Sequence, residues 1–192
     1  RSWEPLWKNA VLNFGLVGVA LGGLMGLTVG CGRKSFAAVV AGLLAGVVLG
    51  GLFGAGGGWA GAAVWEHLRF NYVRNMKPGP DEVRYASYAA MAGHAVVWAV
   101  LGIGLALVVS MAARWGKYLL RFAVVGAFAG LIAAALYAPL ASMIFPMVQS
   151  DLPIPEGQGN QILFTTLAGG LFGLALGRVA SRCRVGSSPT AS

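Results

Sequence analysis

Charged side chains are scarce in this sequence, at 10% Asp, Glu, Lys and Arg, where a soluble domain carries about 25%. None lies inside the long apolar runs, the last of which closes on Arg178. The scarcity excludes an ordinary soluble domain. The absence from the runs argues against proton relays, voltage sensors and ion-coupled transporters, which place ionisable groups within the membrane. Cysteine is also rare: Cys31 and Cys183 are too few and too far apart for a disulfide framework or a metal-ligand set. The basic start, short apolar core and small-residue cleavage site of a signal peptide are missing. The first residue is Arg1 rather than Met, as expected of a processed or shortened chain.

Catalytic patterns are absent as well. Gly32-Arg33-Lys34-Ser35 lacks the upstream glycine spacing of a phosphate-binding loop, and Gly54-Ala-Gly-Gly-Gly58 lies inside an apolar run, so both read as packing or turn sequence. None of Ser87, Ser110, Ser142, Thr165 and Thr166 stands with both an acid and a histidine, so a nucleophilic triad has no support. Those hydroxyls are expected to bond backbone carbonyls or to cross-link helices. Asp151, Glu156, Asn160 and Gln161 carry oxygens a hard cation could use, but their irregular spacing reads as a solvated loop. His94 is the one ionisable side chain well inside a run, and with no partner of its kind it is expected to be a buried, hydrogen-bonded contact between helices. No catalytic residue, cofactor or metal is predicted, and the chain is not expected to be an enzyme.

Glycine, by contrast, is abundant, with 30 residues. It shows no three-residue period and sits among Leu, Val and Phe, which excludes collagen-like and disordered chains. Gly42, Gly46, Gly50, Gly54 and Gly58 recur at every fourth position within the uncharged run Ser35 to Val64. Residues four apart share a helix face, and in lipid a strip of small residues lets two backbones approach closely. Gly18, Gly22, Gly26 and Gly30 repeat the pattern upstream, and Gly169, Gly173 and Gly177 downstream. These are the predicted helix-packing residues. The predicted fold class is all-α: a polytopic integral membrane bundle of five transmembrane helices with glycine-zipper packing. Each run exceeds or approaches the roughly 20 residues of a bilayer crossing. The spans are about 10–31, 35–64, 85–113, 122–145 and 162–179, preceded by an interfacial segment at 1–9 and followed by a disordered tail at 185–192. Trp59 and Trp65 are expected in an aromatic belt, Asp81 as a helix cap after Pro78-Gly79-Pro80, and Pro139 as a kink.

Near-identical pentapeptides at Gly22–Gly26, Gly50–Gly54 and Gly169–Gly173 would fit an inverted repeat, although low-complexity Gly/Leu sequence also produces such matches. Helices joined by the short turn at Arg33 should lie at equal depth when their numbers sum to about 66, since each residue rises about 1.5 Å. That sets Gly18 level with position 48. The same reasoning places Gly50, Gly54 and Gly58 beside Gly177, Gly173 and Gly169, making the second helix central, between the first and the fifth.

The net charge of +8 does not imply nucleic acid, because the basic residues flank apolar runs instead of clustering on a soluble face. With five spans, Arg33, Lys34, Arg114, Lys117, Arg121, Arg178, Arg182 and Arg184 share one face. All six acids, Glu4, Glu66, Asp81, Glu82, Asp151 and Glu156, share the other with the remaining basic residues. The purely basic face is expected in the cytoplasm, against anionic headgroups, with the C-terminus inside and the N-terminus outside. Expected partners are the bilayer, itself or another membrane protein, and no nucleic acid. Glycine-zipper segments occur in unrelated proteins, so they indicate a packing mode and not a family. The function expected is a structural or assembly component; the alternative is a small permease or channel.

Overall fold

Five long helices follow the five apolar runs. The computed structural model describes residues 4–33, 35–75, 81–145 and 157–185. It is all-helical: α1 (Glu4–Cys31), α2 (Phe36–Asn75), α3 (Asp81–Ala112), α4 (Leu119–Ile144) and α5 (Gln158–Val185), with a short 3-10 turn at Gly116–Tyr118 before α4. All 5 helices are long and apolar enough to cross a membrane, which makes this a multi-pass arrangement. Arg1, Trp3, Lys34, Lys77, Pro78-Gly79-Pro80, the loop with Asp151 and Glu156, and the tail from 186 lie outside the described residues.

Two helices run further than the apolar runs suggest. α1 passes through Trp7 and Lys8 without a break. α2 continues well past Val64 to Asn75, and its 40 residues reach about 60 Å at about 1.5 Å each, twice the roughly 30 Å hydrocarbon core. Nothing between Trp59 and Asn75 breaks a helix, and the extension carries its own contacts. Trp65 is buried against Ala89 and Ala90 of α3 with Leu68 alongside. Arg69 stands over the Trp65 ring, 5.0 Å from its centroid, and Asn71 and His67 are hydrogen-bonded at 3.0 Å. Trp65 therefore faces a neighbouring helix instead of forming a belt with Trp59, which is exposed.

The α1–α2 hairpin is built almost without side chains at its seam. A Cβ added to Gly18 would collide with the Gly50 carbonyl, one on Gly22 with that of Gly46, and one on Gly26 with that of Gly42. Even the less severe approaches are tight: a Cβ on Gly22 would stand 3.0 Å from the Gly50 Cα. The register differs slightly from expectation, since Gly18 lies beside Gly50 and not position 48. A larger correction concerns Gly54 and Gly58, which do not meet α5. They lie against the carbonyls of Phe14 and Ala10, so α1 covers the glycine strip of α2 along its whole length.

The central helix is α3, not α2. It touches all four other long helices, and 56% of its span is buried against 17% for α2. Its own glycines open the way. Gly93 meets Gly61 of α2, where an added Cβ would lie 3.0 Å from the Gly61 carbonyl, and Gly102 meets Gly126 of α4. α5 packs on α4 and α3. Only Gly169 of its glycine series has a neighbour, where an added Cβ would stand 3.3 Å from a Leu21 methyl, while Gly173 and Gly177 have open space beside them. The predicted pairs Gly54–Gly173, Gly50–Gly177 and Gly58–Gly169 are thus absent. The related pentapeptides are used differently, as a packed seam in the first hairpin and as an outward face in α5.

Small polar groups settle locally. Thr28, Ser142 and Thr165 donate to the carbonyls of Leu24, Pro139 and Gln161 at 2.7, 2.9 and 2.8 Å. Pro139 lies inside α4 without ending it. The end of α3 is closed by a Schellman motif: the Trp115 amide donates to the Ser110 carbonyl at 2.8 Å and the Arg114 amide to that of Met111 at 3.0 Å. The residue in the left-handed position is Arg114, at φ 58°, where glycine is usual. A side chain there costs about 1–2 kcal/mol.

Candidate functional site

His94 occupies the middle of the bundle. Only 1% of its surface is exposed, because α3 brings it between α4 and α5. Its ring packs edge-on against Tyr137 of α4 at 5.4 Å between centroids and at a tilt against Phe164 of α5 at 4.9 Å. Phe164 joins the cluster together: its centroid lies 4.5 Å from Tyr137, 4.7 Å from Trp98 and 5.9 Å from Phe14. Phe172, two turns along α5, reaches Trp98 at 6.0 Å. Four helices therefore meet through rings, with edge-on or tilted geometry that lets a positive ring edge face a negative ring face.

Two polar groups share this packed region without satisfying themselves. The Tyr137 hydroxyl and both amide atoms of Asn160 are buried with no hydrogen-bond partner. Each such group forgoes about 1–3 kcal/mol relative to a satisfied one. Asn160 stands one turn from Phe164 on the same face of α5 and is 2% exposed. Asn160, Phe164, Ala168, Phe172 and Leu176 form one buried stripe, and the glycines Gly169, Gly173 and Gly177 lie about 100° further round.

Of the residues singled out in the sequence, the structure brings Gly18, Gly22, Gly26, Gly30, Gly42, Gly46, Gly50, Gly54 and Gly58 to one helix–helix seam. His94 sits elsewhere, on α3. The cluster around it was missed. Its signals were present but faint: Trp98 is one turn from His94, and the four-residue stripe of α5 begins at a polar Asn160. Gly57, Gly61, Gly93 and Gly102 were also missed as close-approach positions, because they do not belong to an unbroken series.

Among the described residues, no group of three His, Cys, Asp or Glu side chains is placed to hold a metal ion. The imidazole and the phenol that do meet, His94 and Tyr137, are suited to hydrogen bonding with an uncharged partner. Comparison of the chain with protein-family models, curated proteins and solved structures gives no match.

Proposed function

We propose that this chain is a non-catalytic structural or assembly component of a membrane, held together by glycine-zipper packing. The observation that carries the reading is the α1–α2 seam, where glycine after glycine lies against the opposite backbone. In lipid there is no hydrophobic force to bring helices together, so van der Waals contact over such a seam is the main attraction between them. A hairpin closed this tightly is a rigid platform, and α5 presents Gly173 and Gly177 outward to itself or to another membrane protein. In this reading the face with Arg33, Arg114, Lys117, Arg121 and Arg178 is cytoplasmic and meets anionic headgroups, and the N-terminus is outside.

A second reading, a small permease or channel, draws on one observation: the unpaired Tyr137 hydroxyl beside His94, with the unpaired Asn160 amide buried one turn from Phe164. Polar groups inside membrane proteins often mark a solute path. Flux separates the two. Purified protein in liposomes should pass ions and small solutes no faster than protein-free liposomes. His94→Ala should lower stability by about 0.6–2 kcal/mol without altering that result. Robust conductance that His94→Ala or Asn160→Leu abolishes in a folded protein would replace the structural reading with the permease.

A further inference from the structure

At the basic end of the bundle the helices part. A cavity of about 280 Å³ opens between the ends of α1, α3 and α5, its apolar wall formed by Val29, Val109, Ala113 and Ala180. Arg33, from the α1–α2 turn, and Arg114 with Trp115, from the end of α3, also line it. Arg33 is tied across the opening: its Nη1 donates to the Ala112 carbonyl at 3.1 Å. That bond uses one of the five guanidinium N–H donors and places a cation at the negative end of the α3 dipole.

Arg114 is held in a second way. It occupies the left-handed position of the Schellman motif, while Gly116, two residues on, stands in open space. The backbone would be more relaxed with glycine at 114, yet the residue found there, at the lining of the cavity, is an arginine. Strained positions of this kind concentrate at binding sites, where the surrounding structure holds them. Among the described residues no carboxylate lines the cavity, and both arginines, exposed at its rim, belong to its lining.

Two arginines at one rim favour an anion, and the fork of an arginine matches the oxygens of a phosphate group. A free phosphate ion would leave the apolar wall in contact with water. A phosphate ester on a hydrocarbon stem would use both halves of the site, and the volume is near the lower end of about 300–1,000 Å³ for small-molecule pockets. We propose that this cavity binds the phosphate group of an anionic phospholipid between Arg33 and Arg114, with the adjoining carbons against Val29, Val109 and Ala180. The proposal rests on the reading of the chain as a membrane-spanning bundle, and not on whether the bundle conducts.

The test uses the full chain in nanodiscs of phosphatidylcholine with a minority of phosphatidylglycerol, followed by native mass spectrometry of the lipid it retains. Wild type should retain one phosphatidylglycerol, enriched about tenfold over its share of the bilayer, the effect of one good charge-assisted contact. Arg33→Gln and Arg114→Gly should each remove most of that enrichment. Arg121→Gln, at the same end but outside the cavity, should keep it. Arg114→Gly is the decisive variant, because glycine suits the left-handed backbone and the melting temperature should hold or rise. Equal enrichment in wild type and Arg114→Gly would overturn the proposal, as would retention of phosphatidylcholine as readily as phosphatidylglycerol. In a second arm, inorganic phosphate is added at millimolar concentration. Unchanged lipid retention supports the lipid assignment, and complete displacement overturns it in favour of a soluble phosphate. None of these readouts depends on flux.

Discussion

A methyl group on Gly46 and a methyl group on Gly173 would meet opposite surroundings. At Gly46 it would collide with the Gly22 carbonyl and stand 2.6 Å from its carbon, and both are backbone atoms that cannot rotate away. The helices would have to separate, losing contact along the seam. At Gly173 nothing lies within 4 Å, and replacing glycine by alanine within a helix lowers backbone entropy in the unfolded chain. Gly46→Ala should therefore destabilise the protein by about 1–3 kcal/mol, and Gly173→Ala should be neutral or stabilising by up to about 1 kcal/mol. Thermal unfolding in monomeric detergent micelles measures both. If the two variants lose stability equally, the distinction between seam and outward glycine is wrong.

At the scale of the helix, glycines four apart lie against a neighbouring backbone in α1 and α2, whereas Gly173 and Gly177 of α5 face open space. All three carry glycines four apart, and α1 and α2 also carry exposed leucines and valines on their other faces, so the glycine face was the one left for packing. α5 has a competing stripe, Asn160, Phe164, Ala168, Phe172 and Leu176, that fills the space beside His94, Trp98 and Tyr137. Buried rings offer far more contact than bare backbone does, so α5 docks by its rings and its glycines turn outward. Periodicity alone cannot choose between two stripes on one helix; the shape of the neighbouring surface decides, and that shape is not local in sequence. Cross-linking separates the alternatives. Gly15 and Ala55 stand side by side, with an added Cβ on Gly15 3.6 Å from the Ala55 Cβ, inside the disulfide range of about 3.5–4.5 Å. In a background with Cys31 and Cys183 replaced by serine, Gly15→Cys with Ala55→Cys should oxidise within one chain. Gly54→Cys with Gly173→Cys should not, and an intrachain bond there would restore α5 to the side of α2.

For the whole molecule, the number of spans was legible because each apolar run is bounded by charge or proline, and five runs became five helices. What was not legible was which helix stands at the centre, since α3 has no continuous glycine strip and takes that place through Gly93, Gly102 and its buried apolar face. The odd number of helices sets the start of α1 and the end of α5 at opposite ends of the bundle. It also sorts the charge: Arg33 and Arg114 converge on one cavity at the ends of α1, α3 and α5, and Lys117, Arg121 and Arg178 lie near the same ends of α3, α4 and α5. Among the described residues, Arg33, Arg114, Lys117, Arg121 and Arg178 belong to this end, and Lys8, Glu66 and Arg69 to the other. Basic residues close to span ends are retained on the cytoplasmic side, and acids contribute little to that choice. Cys31 is exposed at the basic end, and Gln158 is exposed at the start of α5 on the opposite one. In intact cells an impermeant thiol reagent should leave native Cys31 and Cys183 unmodified until lysis. It should modify Gln158→Cys, made without the native cysteines, before lysis. The reverse pattern would turn the bundle over, placing the start of α1 in the cytoplasm.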